Sequence, residues 1–82
     1  MQIVSLLVIN IMKDTFLKTC NENIQKTIEL AEAMLDLAEK GDLNREDVGC
    51  GVLYGILRDA AYRIRKTAEA EKETHMRKGK WI

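Results

Sequence analysis

Two cysteines and a single histidine leave a chain of 82 residues short of covalent and metal staples. Cys20 and Cys50 permit one bridge at most, no CxxC or CxxH pair occurs, and His75 has no second nitrogen ligand, so a structural zinc site lacks donors at workable spacing. Net charge is missing too. Thirteen Lys/Arg cancel thirteen Asp/Glu, which leaves no overall field to draw the chain onto nucleic acid or an anionic membrane. The most apolar stretch, residues 1–12, is well short of the roughly 20 residues that a membrane helix requires. With no basic region before it and no small-x-small site after it, it does not read as a secretory leader either. A chain of this length struggles to bury enough surface to offset its conformational entropy. With disulfides and metals set aside, partner chains are the expected source of stability: a homo-oligomer, most simply a dimer, or a stable protein companion, with no cofactor, in the cytoplasm.

The pattern along the chain is helical. Between residues 13 and 40 there is neither Gly nor Pro, and Leu17, Cys20, Ile24, Thr27, Ala31, Met34 and Ala38 alternate by threes and fours. Ile28 and Leu35 on one flank and Leu30 and Leu37 on the other widen this seam beyond a two-stranded contact. Lys40 and Gly41 form a conventional stop, with Gly41 placed for a left-handed turn. Asn44 is the expected N-cap of a second helix, with Glu46 and Asp47 in its first turn. That helix carries Cys50, Tyr54, Leu57, Ala61, Ile64 and Ala68 on one line and Leu53, Ile56 and Ala60 beside it. The expected domain plan is an apolar N-terminal extension over 1–12, a helical hairpin over 13–78 (helix 13–40, turn 41–44, helix 45–78) and a fraying tail over 79–82. Met12 offers an alternative start; residues 1–11 are then either foreign to the native chain or poorly ordered, or else form an apolar arm that packs on the bundle or on a neighbour. So short a connection forces the helices antiparallel. Residues 1–47 carry nine acids and five bases and residues 48–82 four acids and eight bases, so an acidic helix lies beside a basic one. The fold class is all-α, an antiparallel hairpin expected to dimerise into a four-helix bundle because each apolar stripe exceeds what one neighbour covers.

Few positions offer chemistry. Gly51 and Gly55, one turn apart, cost helix stability and imply a close approach, read as helix packing or as backbone uncovered for a ligand. Cys50, in the first turns of a helix, is a candidate reactive thiol, though its place on the apolar line favours core packing, as for Cys20. Tyr54, Arg58 and Tyr62 at four-residue spacing, with Arg65 nearby, make the best recognition patch: a guanidinium between two phenols suits an anion or a partner's carboxylate. In a structural role, Arg58 would instead pair with Glu29, Glu32 or Asp36. His75, in the charged tail, is expected to be exposed.

Glu29, Glu32 and Asp36 place three carboxylates within two turns. This spacing resembles the magnesium-holding helix of metal-dependent all-α nucleotide pyrophosphatases. Those enzymes use a second ExxD pair on a following helix, and Glu46, Asp47 and Asp59 do not match it, so the carboxylates remain weak metal candidates. In architecture, though in no motif, the hairpin resembles the small plasmid copy-control proteins that bind paired RNA loops; an RNA role would require basic residues gathered on a dimer face. The leading functional expectation is a non-enzymatic, oligomeric interaction or regulatory module. Its rivals are a metal-dependent or ligand-binding bundle using Glu29, Glu32 and Asp36, and a thiol-based redox role for Cys50.

Overall fold

In the computed structural model, residues 2–81 are described, with side chains described from Thr15 onward. Two helices, α1 (Gln2–Leu43) and α2 (Val48–Arg77), pack against each other, with no strand among the described residues. The all-α antiparallel hairpin is thus as expected. No described helix is long and apolar enough to cross a membrane.

The helix boundaries differ from those read in the sequence. α1 shows no break at Met12 and starts at Gln2; how the apolar side chains of residues 1–12 pack lies outside the described residues, as does Ile82. At its other end α1 runs through Gly41 to Leu43, and the only described residue with positive φ is Gly79, at 67°. Gly41 therefore stays helical, and its missing Cβ serves packing instead: a methyl there would overlap the ring of Tyr54 on α2. The N-cap of α2 is Asp47, not Asn44. Its extended backbone (φ −148°, ψ 176°) lets the carboxylate accept from the Cys50 N–H at 2.8 Å, while Asn44 closes α1 by donating its side-chain amide to the Lys40 carbonyl at 2.7 Å.

At the far end of α2 the expected fraying is replaced by a Schellman cap. Lys80 N–H donates to the His75 carbonyl at 2.7 Å and Gly79 N–H to that of Met76 at 3.1 Å, around left-handed Gly79. The turn aims Lys80 back at α1, where its carbonyl accepts from Asn21 Nδ2 at 2.8 Å.

Between these ends the seam is narrow. Among the described residues, Ile28, Ala31 and Ala38 of α1 and Ala61 and Ala68 of α2 are the buried apolar ones, and the only fully buried side chain larger than alanine is Asn21. The contacts Asn21–His75, Gln25–Lys72 and Gly41–Tyr54 fix the register, setting Ile28 level with Ala68 and Leu35 level with Ala61, a large side chain opposite a small one. Ala31 and Ala38 are buried as expected, but toward the open end the seam of α1 shifts by one position: Asn21 and Ile28 are buried, while Cys20 and Thr27 face outward. The hairpin is one helix thick. Its extents are 68 × 19 × 13 Å and its radius of gyration is 19.0 Å, against about 12 Å for a compact chain of this length. Since a helix with side chains is itself about 10–12 Å across, each described helix has one helix as its neighbour.

Candidate functional site

The two broad faces of the hairpin differ in chemistry. On one, Ile24 and Thr27 of α1 and Ile64, Thr67 and Ala68 of α2 line a shallow, mostly apolar groove, with Arg63 and Glu71 also in its wall. Helical spacing carries this face toward the turn through Leu30, Met34 and Leu37 on α1 and through Ala60, Leu57, Ile56 and Leu53 on α2. Leu30 is 61% exposed, Leu37 57%, Leu53 57% and Ile56 63%, and Leu43 and Val48 extend the exposed apolar surface around the turn. Scattered surface leucines are ordinary, but these lie together along one face of the hairpin.

On the opposite face Glu32, Leu35, Asp36 and Glu39 of α1 and Arg58, Tyr62 and Arg65 of α2 line a polar groove. The residues of the expected patch separate here. Tyr54 turns into the hairpin against Gly41. Arg58 does not sit between two phenols, nor does it pair with Glu29, Glu32 or Asp36; its Nη2 lies 3.7 Å from Asp42 Oδ2, and Asp42 also holds Arg45 at 3.3 Å. The guanidinium that meets a ring is that of Arg65, 5.3 Å from the centre of Tyr62. Tyr62, Arg65 and Arg58 thus share one groove wall with three carboxylates opposite, an arrangement that can bind a mixed-charge partner surface through stacking and charge-assisted hydrogen bonds.

Neither glycine is approached by the facing helix. A Cβ at Gly51 would meet only the mobile end of the Arg45 side chain, and one at Gly55 would meet nothing within 4 Å. Cys50 is half-buried and Cys20 exposed, and both are free thiols; the Cys50 backbone is committed to the cap, and its N–H holds the Asp47 carboxyl below the ordinary carboxylate range. Among the carboxylates named as weak metal candidates, Asp36 is bound to Lys40 at 2.9 Å, a contact that raises the lysine's pKa. Among the described residues, no three His, Cys, Asp or Glu side chains come together as a metal site.

A polar cluster at the open end was invisible to sequence reasoning. Asn21 is 2% exposed. Because its amide donates to the Lys80 carbonyl, its oxygen is left to accept, so His75 Nδ1 carries the proton in the 2.7 Å contact between them. His75 is accordingly not the exposed residue expected: its side chain is 15% exposed, and Nε2 lies 3.3 Å from Glu71 Oε1, an ion pair when the ring carries a second proton. One turn along, Lys72 donates to Gln25 Oε1 at 2.9 Å and stands 4.9 Å over the Trp81 ring. The missed signal was a polar residue recurring in heptad register with Ile28 and Leu35. Every buried polar side-chain atom among the described residues has a partner.

Compared with known protein families, curated proteins and solved structures, the chain matches none.

Proposed function

We propose that this chain is a non-enzymatic interaction module that works as a homodimer, its four helices burying the two apolar faces and leaving the Arg58/Tyr62/Arg65 groove outward for a further macromolecule. The observation that carries this reading is the mismatch between core and surface. Among the described residues the seam supplies five buried apolar residues, four of them alanine, while the groove face leaves Leu30, Leu37, Leu53 and Ile56 more than half exposed. The accessible surface, 6544 Å² for 9.4 kDa, exceeds by about 1500 Å² what a compact monomer of this mass exposes. A stable dimer interface needs roughly 800 Å² from each partner, so the surplus is ample. Burying large aliphatic side chains at about 1.5–3 kcal/mol each provides the driving force. Free thiols at Cys20 and Cys50 fit a reducing compartment such as the cytoplasm.

Sedimentation velocity at micromolar concentration tests the reading. The expected species has twice the chain mass of 9.4 kDa and melts in one cooperative step whose midpoint rises with concentration. A folded, cooperatively melting single chain over that range would refute it.

A further inference from the structure

α2 and its cap end level with Asn21, where Lys80 and His75 meet α1. Everything in α1 before that point, from Gln2 to Lys18, projects beyond α2 by about 25 Å with no second helix of the same chain beside it. The sequence of this projection is apolar at Ile3, Val4, Leu6, Leu7, Val8, Ile9, Ile11 and Met12. On a helix these residues are spread around most of the circumference of 3–12, interrupted by Ser5 and Asn10, while Lys13, Asp14 and Lys18 make the base of the projection polar. Its described end bears Phe16, the only phenylalanine of the chain, 68% exposed. Because α1 is one continuous helix from Gln2 to Leu43, the projection cannot fold back into its own hairpin without breaking.

The same molecule thus has an N-terminal stretch of α1 with no helix of its own chain beside it and, along the hairpin, an apolar face that begins at the Ile24/Ala68 groove and runs toward the turn through exposed Leu30, Leu37, Leu53 and Ile56. Resting on the dimer proposed above, we infer that each groove receives the projecting N-terminal part of α1 from a second copy, running antiparallel to the first. In this register Phe16 of one copy lies level with Thr27 of the other, filling the groove lined by Ile24, Thr27, Ile64, Thr67 and Ala68. Leu6 then lies level with Leu37, and Ile3 near Gly41. The heptad line that bears Leu6, Ile9, Phe16 and Cys20, with Lys13 as its polar member, continues through Asn23 into Thr27, Leu30, Met34 and Leu37, so a single stripe of α1 meets its own copy across a two-fold axis near residues 21–22, as an isologous contact demands. The Lys13 stem then lies along Leu30, with its charge reaching the rim. The competing register lays the two turn-side halves directly on each other, Leu30 opposite Leu37. It leaves both exposed Phe16 rings uncovered, which the full-length register does not.

Disulfide trapping of the full chain distinguishes the two. In a Cys20→Ser/Cys50→Ser background, singly substituted chains are mixed in pairs and oxidised mildly; bridging requires Cα atoms about 4.4–6.8 Å apart. The expected result is an interchain bridge for F16C with T27C and for L6C with L37C, and none for L30C with L37C. In the uncrosslinked chain, Leu6→Glu is expected to raise the dimer Kd about 100-fold and Phe16→Ala about 10-fold, with helix content unchanged by circular dichroism. A dimer that bridges L30C to L37C, that bridges neither expected pair, or that ignores Leu6→Glu overturns the inference and leaves the homodimer standing. A chain that stays single at micromolar concentration overturns both.

Discussion

Near the turn, α1 and α2 are joined by small residues and a ring: Gly41 under Tyr54, and Ala38 and Ala61 at the seam. At the open end they are joined by polar atoms: Asn21 to His75 and Lys80, and Gln25 to Lys72. The turn half leaves its apolar side chains outside, whereas the open end puts an amide inside. Hydrogen bonds need fixed partners and set the register, but each returns only about 1 kcal/mol net. Apolar contact is tolerant of register and yields far more when water is excluded. Specificity within the hairpin thus resides at the open end, and most of its exposed aliphatic surface lies toward the turn.

The division can be broken by exchange of chemistry between the halves. Leu37→Asp should cost the dimer at least about 100-fold in Kd, roughly 2.7 kcal/mol, while Met76→Asp, at an exposed site of the open end off the apolar face, should leave it within about 0.5 kcal/mol; equilibrium sedimentation measures both, and equal effects would erase the distinction. Asn21→Ala should cost about 2 kcal/mol, because the Lys80 carbonyl and His75 Nδ1 lose their partner. Its signature is local: Trp81, the only tryptophan, should report opening by fluorescence before the helix content falls.

Smaller changes sharpen the turn side. Gly41→Ala should destabilise by about 1 kcal/mol, since the clash with Tyr54 outweighs the gain in helix propensity; in a Tyr54→Ala background the same substitution should stabilise by about that amount, a reversal that denaturant melts can read. Gly55→Ala, which meets open space, should stabilise by about 0.5–1 kcal/mol. The least effect concerns acid. The Cys50 N–H holds the Asp47 carboxyl below its ordinary value, so the cap contributes fully above the unfolded carboxylate pKa and is lost as pH falls through the lower, folded one. Asp47→Asn, which keeps an acceptor at the cap, should remove this dependence, seen as a flatter acid limb in the melting temperature between about pH 5 and 2.

Much of the hairpin was legible because helical spacing and the Gly41-to-Asp47 interruption are local signals. The end of α1 was misplaced since Gly41 reads alike as a terminator and as a packing notch; only Tyr54, thirteen positions on, decides between them. The cap was misplaced because Asn44 and Asp47 are equally able acceptors, and the winner depends on where α1 lets the chain go. The seam was read correctly at Ala31 and Ala38 but one position out toward the open end: hydrophobicity favoured Cys20 and Thr27, where tertiary partners bury Asn21 and Ile28. The recognition patch was half visible, because four-residue spacing finds which side chains share a face but not which of them turns inward, as Tyr54 does.

The two clamps, Tyr54 on Gly41 and Lys80 with His75 on Asn21, lie about twenty residues apart along each helix. A single residue inserted between them in either helix would swing one clamp about 100° around its axis, out of reach of its mate. Lengthening or shortening by seven in both arms together restores the facing. The hairpin therefore behaves as a ruler graduated in heptads, and any chain that has kept both clamps while changing length should have changed it by that quantum.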